Sequence, residues 1–266
     1  MAHPVYNQNL GLIGILAQSG TPTDCIVFTG ESSDFTLTAS YKEWDGTVEY
    51  STDHNTWTAW DGTAISSSNK KLYLRGSGNT TFYTSDGAQF ALSARAGCIG
   101  NLNTLLEYNN PPTSLTRRCY RYMFYNCANL TTAPALPATT LADSCYQYMF
   151  LFCTNLKTAP ALPATTLATY CYSTMFKGCT SLKTAPALPA TTLATYCYDN
   201  MFNGCTSLKV SSAQTGTYQY AWRIPTSGTI SSTPSPWNNN MLKNTGGTFT
   251  ADPSINTTYY VENKPV

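Results

Sequence analysis

The sequence predicts a mainly β chain with short helical turns: a small sandwich that runs into a stacked solenoid. Three observations predict it. Between Cys119 and Leu208 four near-copies follow one another, CYRYMFYNCANL, CYQYMFLFCTNL, CYSTMFKGCTSL and CYDNMFNGCTSL, restarting every 26 residues at Cys119, Cys145, Cys171 and Cys197. A fixed period in this range marks units that bury their apolar faces against one another. Upstream, from Asp24 to about Ala96, apolar residues instead recur with a period of two, in short runs broken by Gly, Asn, Asp and Ser. Finally, prolines in each TAPALP segment, such as Pro134 and Pro137, forbid a helix there and favour extended chain.

Residues 1–23 read as an arm. Leu10–Ala17 is an apolar run with no Lys or Arg before it, so a secretory signal is not expected. An apolar terminus with no core of its own needs a partner, and docking into a larger assembly or a sister subunit is the expectation. A disordered leader or a first strand of the next domain are the alternatives.

Residues 24–97 read as an antiparallel sandwich of the immunoglobulin-like kind. Its strand runs are Cys25–Phe28, Phe35–Thr38, Thr47–Tyr50, Thr56–Trp60, Lys71–Arg75, Thr81–Tyr83 and Phe90–Leu92. Val48–Trp57 contains a hairpin turning at Asp53-His54-Asn55. Trp44, Trp57 and Trp60 are either core or a platform for stacking sugars, and Trp57 and Trp60 fall on opposite faces of an alternating strand.

Residues 98–209 hold one degenerate and four clear repeats. Leu130, Leu156, Leu182 and Leu208 share one phase, the Met-Phe pairs from Met123-Phe124 to Met201-Phe202 another. Stacking turns each phase into an apolar ladder. The stretch through CYxxMFxxC has no Pro and is expected to form one short helix or 3-10 turn, beside one strand per unit. Residues 210–266, with Trp222, Trp237, Phe249, Tyr259 and Tyr260, read as a cap over the last unit.

Eight of the ten cysteines sit at two repeat phases, eight residues apart, as in Cys119/Cys127. A repeated Cys at a core phase acts as a small apolar filler, so free buried thiols in two columns are expected. A disulfide framework or a Cys25–Cys98 bridge are the alternatives. The chain lacks close Cys pairs and has only His3 and His54, so neither a metal site nor any other cofactor is expected.

The units, with CTSL at Cys179–Leu182 and Cys205–Leu208 and Met-Phe in place of Ala-Phe, resemble the BspA-like class of leucine-rich repeats. The PALPATTLA and CYxxMFxGCTSL phrases are similar to variants in gut-bacterial surface proteins and their phages. The resemblance implies a solenoid of strand-plus-turn units and a surface or virion component that adheres. Segments like Gly100–Tyr108 often precede such repeats.

Charged residues make up 11% of the chain and the net charge is +1. That balance gives no general grip on nucleic acid, which needs clustered Lys and Arg; Arg117, Arg118 and Arg121 form only one small cluster. No segment is long enough for a membrane helix. Two histidines without Ser or Cys partners build no triad. A carboxylate pair among Glu43, Asp45 and Glu49 is the remaining catalytic candidate, and the chain is expected not to be an enzyme.

Near-identical copies reveal where packing is indifferent. The pairs after each CY and each MF vary most and should point outward. Arg121, Tyr122, Tyr125, Gln147, Tyr148, Leu151, Phe152 and Lys177 thus form a candidate binding strip, since large apolar groups are costly to expose without a partner. The expected function is a non-enzymatic adhesion or accessory protein of a phage particle, virion-borne and extracellular, in a homo-oligomer or larger assembly. It would bind a host surface protein or glycan. A bacterial cell-surface adhesin, and a structural decoration protein that binds only sister subunits, are the alternatives.

Overall fold

The computed structural model describes residues 22–83, 87–225 and 238–266. Residues 1–21 of the expected arm and Trp237 lie outside the described residues. The described chain is mainly β with almost no helix; a single 3-10 turn spans Leu102–Leu105.

Two sheets form around the period-two runs. β1 (Ile26–Gly30) lies antiparallel between β6 (Lys71–Ser77) and β8 (Ala96–Ile99), with Phe28 opposite Leu72 on one side and Cys98 on the other. β3 (Thr47–Ser51), β4 (Thr58–Ala59) and, at the far edge, β9 (Leu130–Thr132) complete a sheet of order β4-β3-β6-β1-β8-β9. β5 (Ile65–Ser66), β2 (Thr36–Ala39) and β7 (Phe90–Leu92) make the smaller sheet, in that order. The alternation works as expected: Leu72 and Leu74 are buried while Lys71 is exposed. The hairpin forms, with Glu49 opposite Ala59. Trp44 and Trp60 are core, stacked at 5.3 Å, so the three tryptophans make no sugar platform.

Several strand expectations change. The run Thr56–Trp60 gives only the two residues of β4. Thr81–Tyr83 is no strand, because its backbone is bonded to the first repeat. Phe82 N–H donates to the Cys119 carbonyl (2.7 Å) and Phe90 N–H to that of Met123 (2.6 Å). β8 pairs in parallel with β9, which belongs to the first repeat, and one hydrophobic core runs from Ile26 to Val261. The Leu102–Leu105 turn joins the stack through Leu102 N–H donating to Ala135 O at 3.0 Å.

The repeat units stack through alternating backbone bonds. N–H groups of Tyr120, Tyr122 and Phe124 donate to carbonyls of the next unit, Cys145, Gln147 and Met149. Those of Cys119, Arg121 and Met123 donate three residues back within their own unit. Every fourth residue takes a left-handed backbone: Arg118, Tyr122 and Asn126 in the first unit, then Ser144, Tyr148 and Phe152, then Tyr170, Thr174 and Gly178, then Tyr196, Asn200 and Gly204. A helix needs right-handed φ throughout and donors directed along its own axis. The expected helical element is therefore replaced by a ribbon of successive turns. A regular strand per unit is also absent among the described repeats; beyond β9, isolated parallel bridges such as Thr158↔Thr184 and Thr166↔Thr192 link the extended segments.

Side chains follow the backbone register. Tyr120, Tyr146, Tyr172 and Tyr198 stack with ring centroids 5.9, 5.9 and 6.1 Å apart. Phe124, Phe150, Phe176 and Phe202 stack at 5.5, 5.5 and 5.6 Å. Phe82 caps the tyrosine ladder at its start, and Trp222 meets Phe202 edge-on at the other end. All ten cysteines are buried and none is in a disulfide. The thiols of Cys153, Cys179 and Cys205 each donate to the Phe carbonyl of the preceding unit at 3.0 Å. Cysteine at this phase is thus a hydrogen-bond donor as well as a filler.

The C-terminal segment adds β10 (Val210–Ser211), β12 (Thr258–Val261) and β11 (Tyr220–Arg223) as a three-stranded sheet, in that order. It also continues the ribbon. Asn200, Phe202 and Gly204 donate to Asn239, Met241 and Lys243, and Asn240 and Asn244 take the left-handed positions.

Candidate recognition surface

The left-handed residues bring outward side chains into columns along the stack. Tyr122 and Tyr148 stack at 4.8 Å with their rings 5° from parallel. Tyr83, from the loop after β6, stacks on Tyr122 at 6.5 Å, and Tyr125 meets Tyr122 edge-on at 5.7 Å. The Arg121 guanidinium lies over this group, 4.8 Å from the Tyr122 ring, 5.3 Å from Tyr83 and 5.4 Å from Tyr148. One of its terminal nitrogens, Nη1, donates to Tyr83 Oη at 3.2 Å. Such cation–ring contacts are worth about 0.5–1 kcal/mol each at exposed sites. Burial raises the Tyr122 hydroxyl pKa, with Arg121 acting in the opposite direction.

In the third and fourth units the aromatic column shifts by four residues. Tyr170 and Tyr196 stack at 4.8 Å, 7° from parallel. The Tyr122/Tyr148 phase holds Thr174 and Asn200 there.

Of the eight expected strip residues, Arg121, Tyr122, Tyr125, Tyr148 and Phe152 come together. Phe152 is 41% exposed and 6.4 Å from Tyr125. Lys177 is half-buried on the same face phase. Gln147 and Leu151 do not point outward as expected; they are buried at 7% and 8% exposure. Each precedes a left-handed residue, Tyr148 or Phe152, and bonds its N–H back within its own unit, so it is the left-handed neighbour that projects from the stack. Ser173 and Thr174 in the third unit are buried as well.

Three surface residues were not expected here. Tyr83 ends the Thr81–Tyr83 run, whose pattern predicts a strand, and Tyr170 and Tyr196 follow the PATTLAT phrase, outside the variable pairs. The usable signal is that their phase holds Arg118 and Ser144 in the earlier units.

The carboxylates of the catalytic alternative have structural partners. Glu49 binds Arg75 at 2.8 Å. Asp45 accepts from the Thr80 and Thr81 N–H groups; burial opposes its ionisation, but these hydrogen bonds prevail and its pKa is lowered. Glu43 is buried. At the far end, an open groove of about 680 Å³ lies between the last repeat and the C-terminal sheet, lined among others by Lys183, Lys209, Tyr220 and Glu262.

Among the described residues, one group could hold a metal ion: Asp24, Cys25 and His54, whose donor atoms lie within 4.8 Å of one another. Sequence spacing does not detect a cysteine and a histidine brought together through a hairpin turn. No helix among the described residues is long and apolar enough to cross a membrane. Comparison with known proteins finds no family model, no curated sequence and no solved structure that matches this chain.

Proposed function

We propose that this chain is a non-enzymatic adhesion or accessory protein. In this reading an immunoglobulin-like sandwich is joined to a short BspA-like leucine-rich-repeat solenoid, whose Tyr/Arg face is presented to a bacterial envelope, mucus or glycan. A phage virion component, docked to its particle or to sister subunits through residues 1–23, is the favoured setting. A bacterial surface adhesin of the same architecture, or a decoration protein that binds only sister subunits, are the competing settings. Genes for capsid and tail, or for envelope, next to this one would separate the first two.

One observation carries the reading. Tyr122, Tyr148 and Arg121 depart from the residues that later units use at the same phases, yet they assemble with Tyr83 into one continuous surface. Packing of the ladder does not require them, since Thr174 and Asn200 serve elsewhere in the same fold. The ring geometry narrows the ligand. Rings stacked at 4.8 Å cover one another's faces and present edges and hydroxyls. Recognition would therefore run through hydroxyl hydrogen bonds and Arg121 more than through sugar stacking on an open face.

The test is capture by immobilised protein from bacterial envelope fragments, mucin and a glycan panel. Wild type should retain a component of one class, and Arg121→Gln and Tyr148→Thr should each release it. Retention of nothing from any class, or equal retention by both variants, would sink the reading.

A further inference from the structure

At the start of β1 three side chains of different chemistry converge. Asp24 and Cys25 directly precede the strand, and His54 is brought to them by the β3–β4 turn. His54 Nε2 lies 3.1 Å from Asp24 Oδ1. The turn is built to hold that position. His54 adopts a left-handed φ of 63°. Its N–H donates to Ser51 Oγ at 2.9 Å, while Asp53 Oδ1 accepts from the N–H groups of Asn55 and Thr56 at 2.9 and 2.8 Å. Tyr73 stacks on the imidazole at 5.0 Å and Trp57 meets it edge-on at 5.9 Å. These two rings fix the plane of the imidazole.

We propose that Asp24, Cys25 and His54 bind one divalent cation of borderline softness, and that zinc is the ion they suit. Magnesium and calcium take oxygen donors almost exclusively, whereas zinc accepts sulfur, nitrogen and oxygen together. With zinc bonds of about 2.0–2.3 Å, tetrahedral donors sit roughly 3.3–3.8 Å apart. The observed 4.8 Å limit closes with an inward movement of about 1 Å. Side chains of His54 and Asp24 are 36% and 39% exposed, which leaves room for that movement and for water as fourth ligand. On binding, the thiol proton leaves to solvent and sulfur takes the metal. The Nε2 proton that His54 directs at Asp24 is lost to solvent, the neutral ring carries its one proton on Nδ1, and the freed Nε2 lone pair takes the metal. The thiolate and carboxylate together balance the two charges of the ion. Arg75, the cation whose charge is felt at Cys25, is compensated by Glu49 and held against the Trp57 and Tyr108 rings at 4.0 and 4.2 Å.

Titration of the intact, reduced protein with cobalt(II) chloride tests this. One equivalent should produce a sulfur-to-cobalt charge-transfer band in the near ultraviolet, and zinc chloride should abolish it by displacement. Cys25→Ser should remove the band. His54→Gln changes a half-exposed residue, so it keeps the test sound if the buried Cys25 variant fails to fold. It should weaken cobalt binding by at least about tenfold and leave the melting temperature of the metal-free protein near wild type. No band in wild type, or a band of unchanged strength in His54→Gln, would overturn the proposal.

Discussion

Raising the pH from about 8 to about 10 under reducing conditions is expected to unfold the repeat block. The eight repeat cysteines are 0–3% exposed. Burial pushes Cys127, Cys145 and Cys197 up to about 12 from the ordinary 9.0, and it raises the other five as well. A raised folded pKa means the folded chain holds its thiol protons while the unfolded chain releases them above about pH 9. The stabilisation is complete below that pH and is lost as pH climbs toward the folded values. Over the stated interval each thiol costs about 1.4 kcal/mol, so eight cost roughly 11 kcal/mol. That matches the roughly 5–15 kcal/mol by which whole domains are stable. Tyr120, Tyr146, Tyr172 and Tyr198, also raised by burial, act in the same direction at higher pH. Circular dichroism and thiolate absorbance, followed together, should change in one cooperative step. Thiols that titrate near pH 9 in a chain retaining its circular dichroism would refute the buried columns.

Gly178 has φ of 73°, and a Cβ there would lie 2.4 Å from the Phe152 ring, so Gly178→Ala should cost about 1–2 kcal/mol from backbone strain alone; a melting temperature equal to wild type would contradict the left-handed assignment. A Cβ on Gly76 would lie 1.8 Å from the Leu105 carbonyl, so Gly76→Ala should push the 3-10 turn off β6 and destabilise by about 3 kcal/mol, measured by urea titration. Trp222 closes the phenylalanine ladder and donates to the Pro186 carbonyl at 2.9 Å. Trp222→Ala should cost about 3–5 kcal/mol, and hydrogen exchange should show the loss concentrated in the last unit and the C-terminal sheet.

Much of the architecture was legible because four copies report each phase four times. The Leu and Met-Phe phases are buried as read, and Asn55 and Asp53 announce the hairpin turn. Other features lacked a local signal. Left-handed backbone at every fourth residue has a trace in Asn126, Gly178, Asn200 and Gly204, but Tyr122, Tyr148 and Phe152 occupy the same positions and hide it. Thr81–Tyr83 carries strand residues whose partners lie in the first repeat, and tertiary pairing overrode the local pattern. Asn240-Met241-Leu242-Lys243-Asn244 repeats the Met-Phe phrase in degenerate form, 40 residues after Met201, and the broken period concealed it. Variability among the copies marks Arg121, Tyr122, Tyr125, Tyr148 and Phe152, which gather on one face, but it also marks Gln147 and Leu151, which are buried. His54 and Cys25, 29 positions apart, are joined only by the fold.

Grafting the third unit onto the first two tests the central claim that the Tyr/Arg face binds while the invariant phases pack. Arg121→Ser, Tyr122→Thr, Tyr125→Lys, Asn126→Gly, Tyr148→Thr and Phe152→Gly write Ser173, Thr174, Lys177 and Gly178 into the earlier phases. Melting temperature and attachment to the captured envelope or glycan component are then measured on the same sample. The account predicts melting close to wild type and attachment weakened by at least about 2 kcal/mol, roughly 30-fold. A folded graft that attaches as tightly as wild type would contradict it.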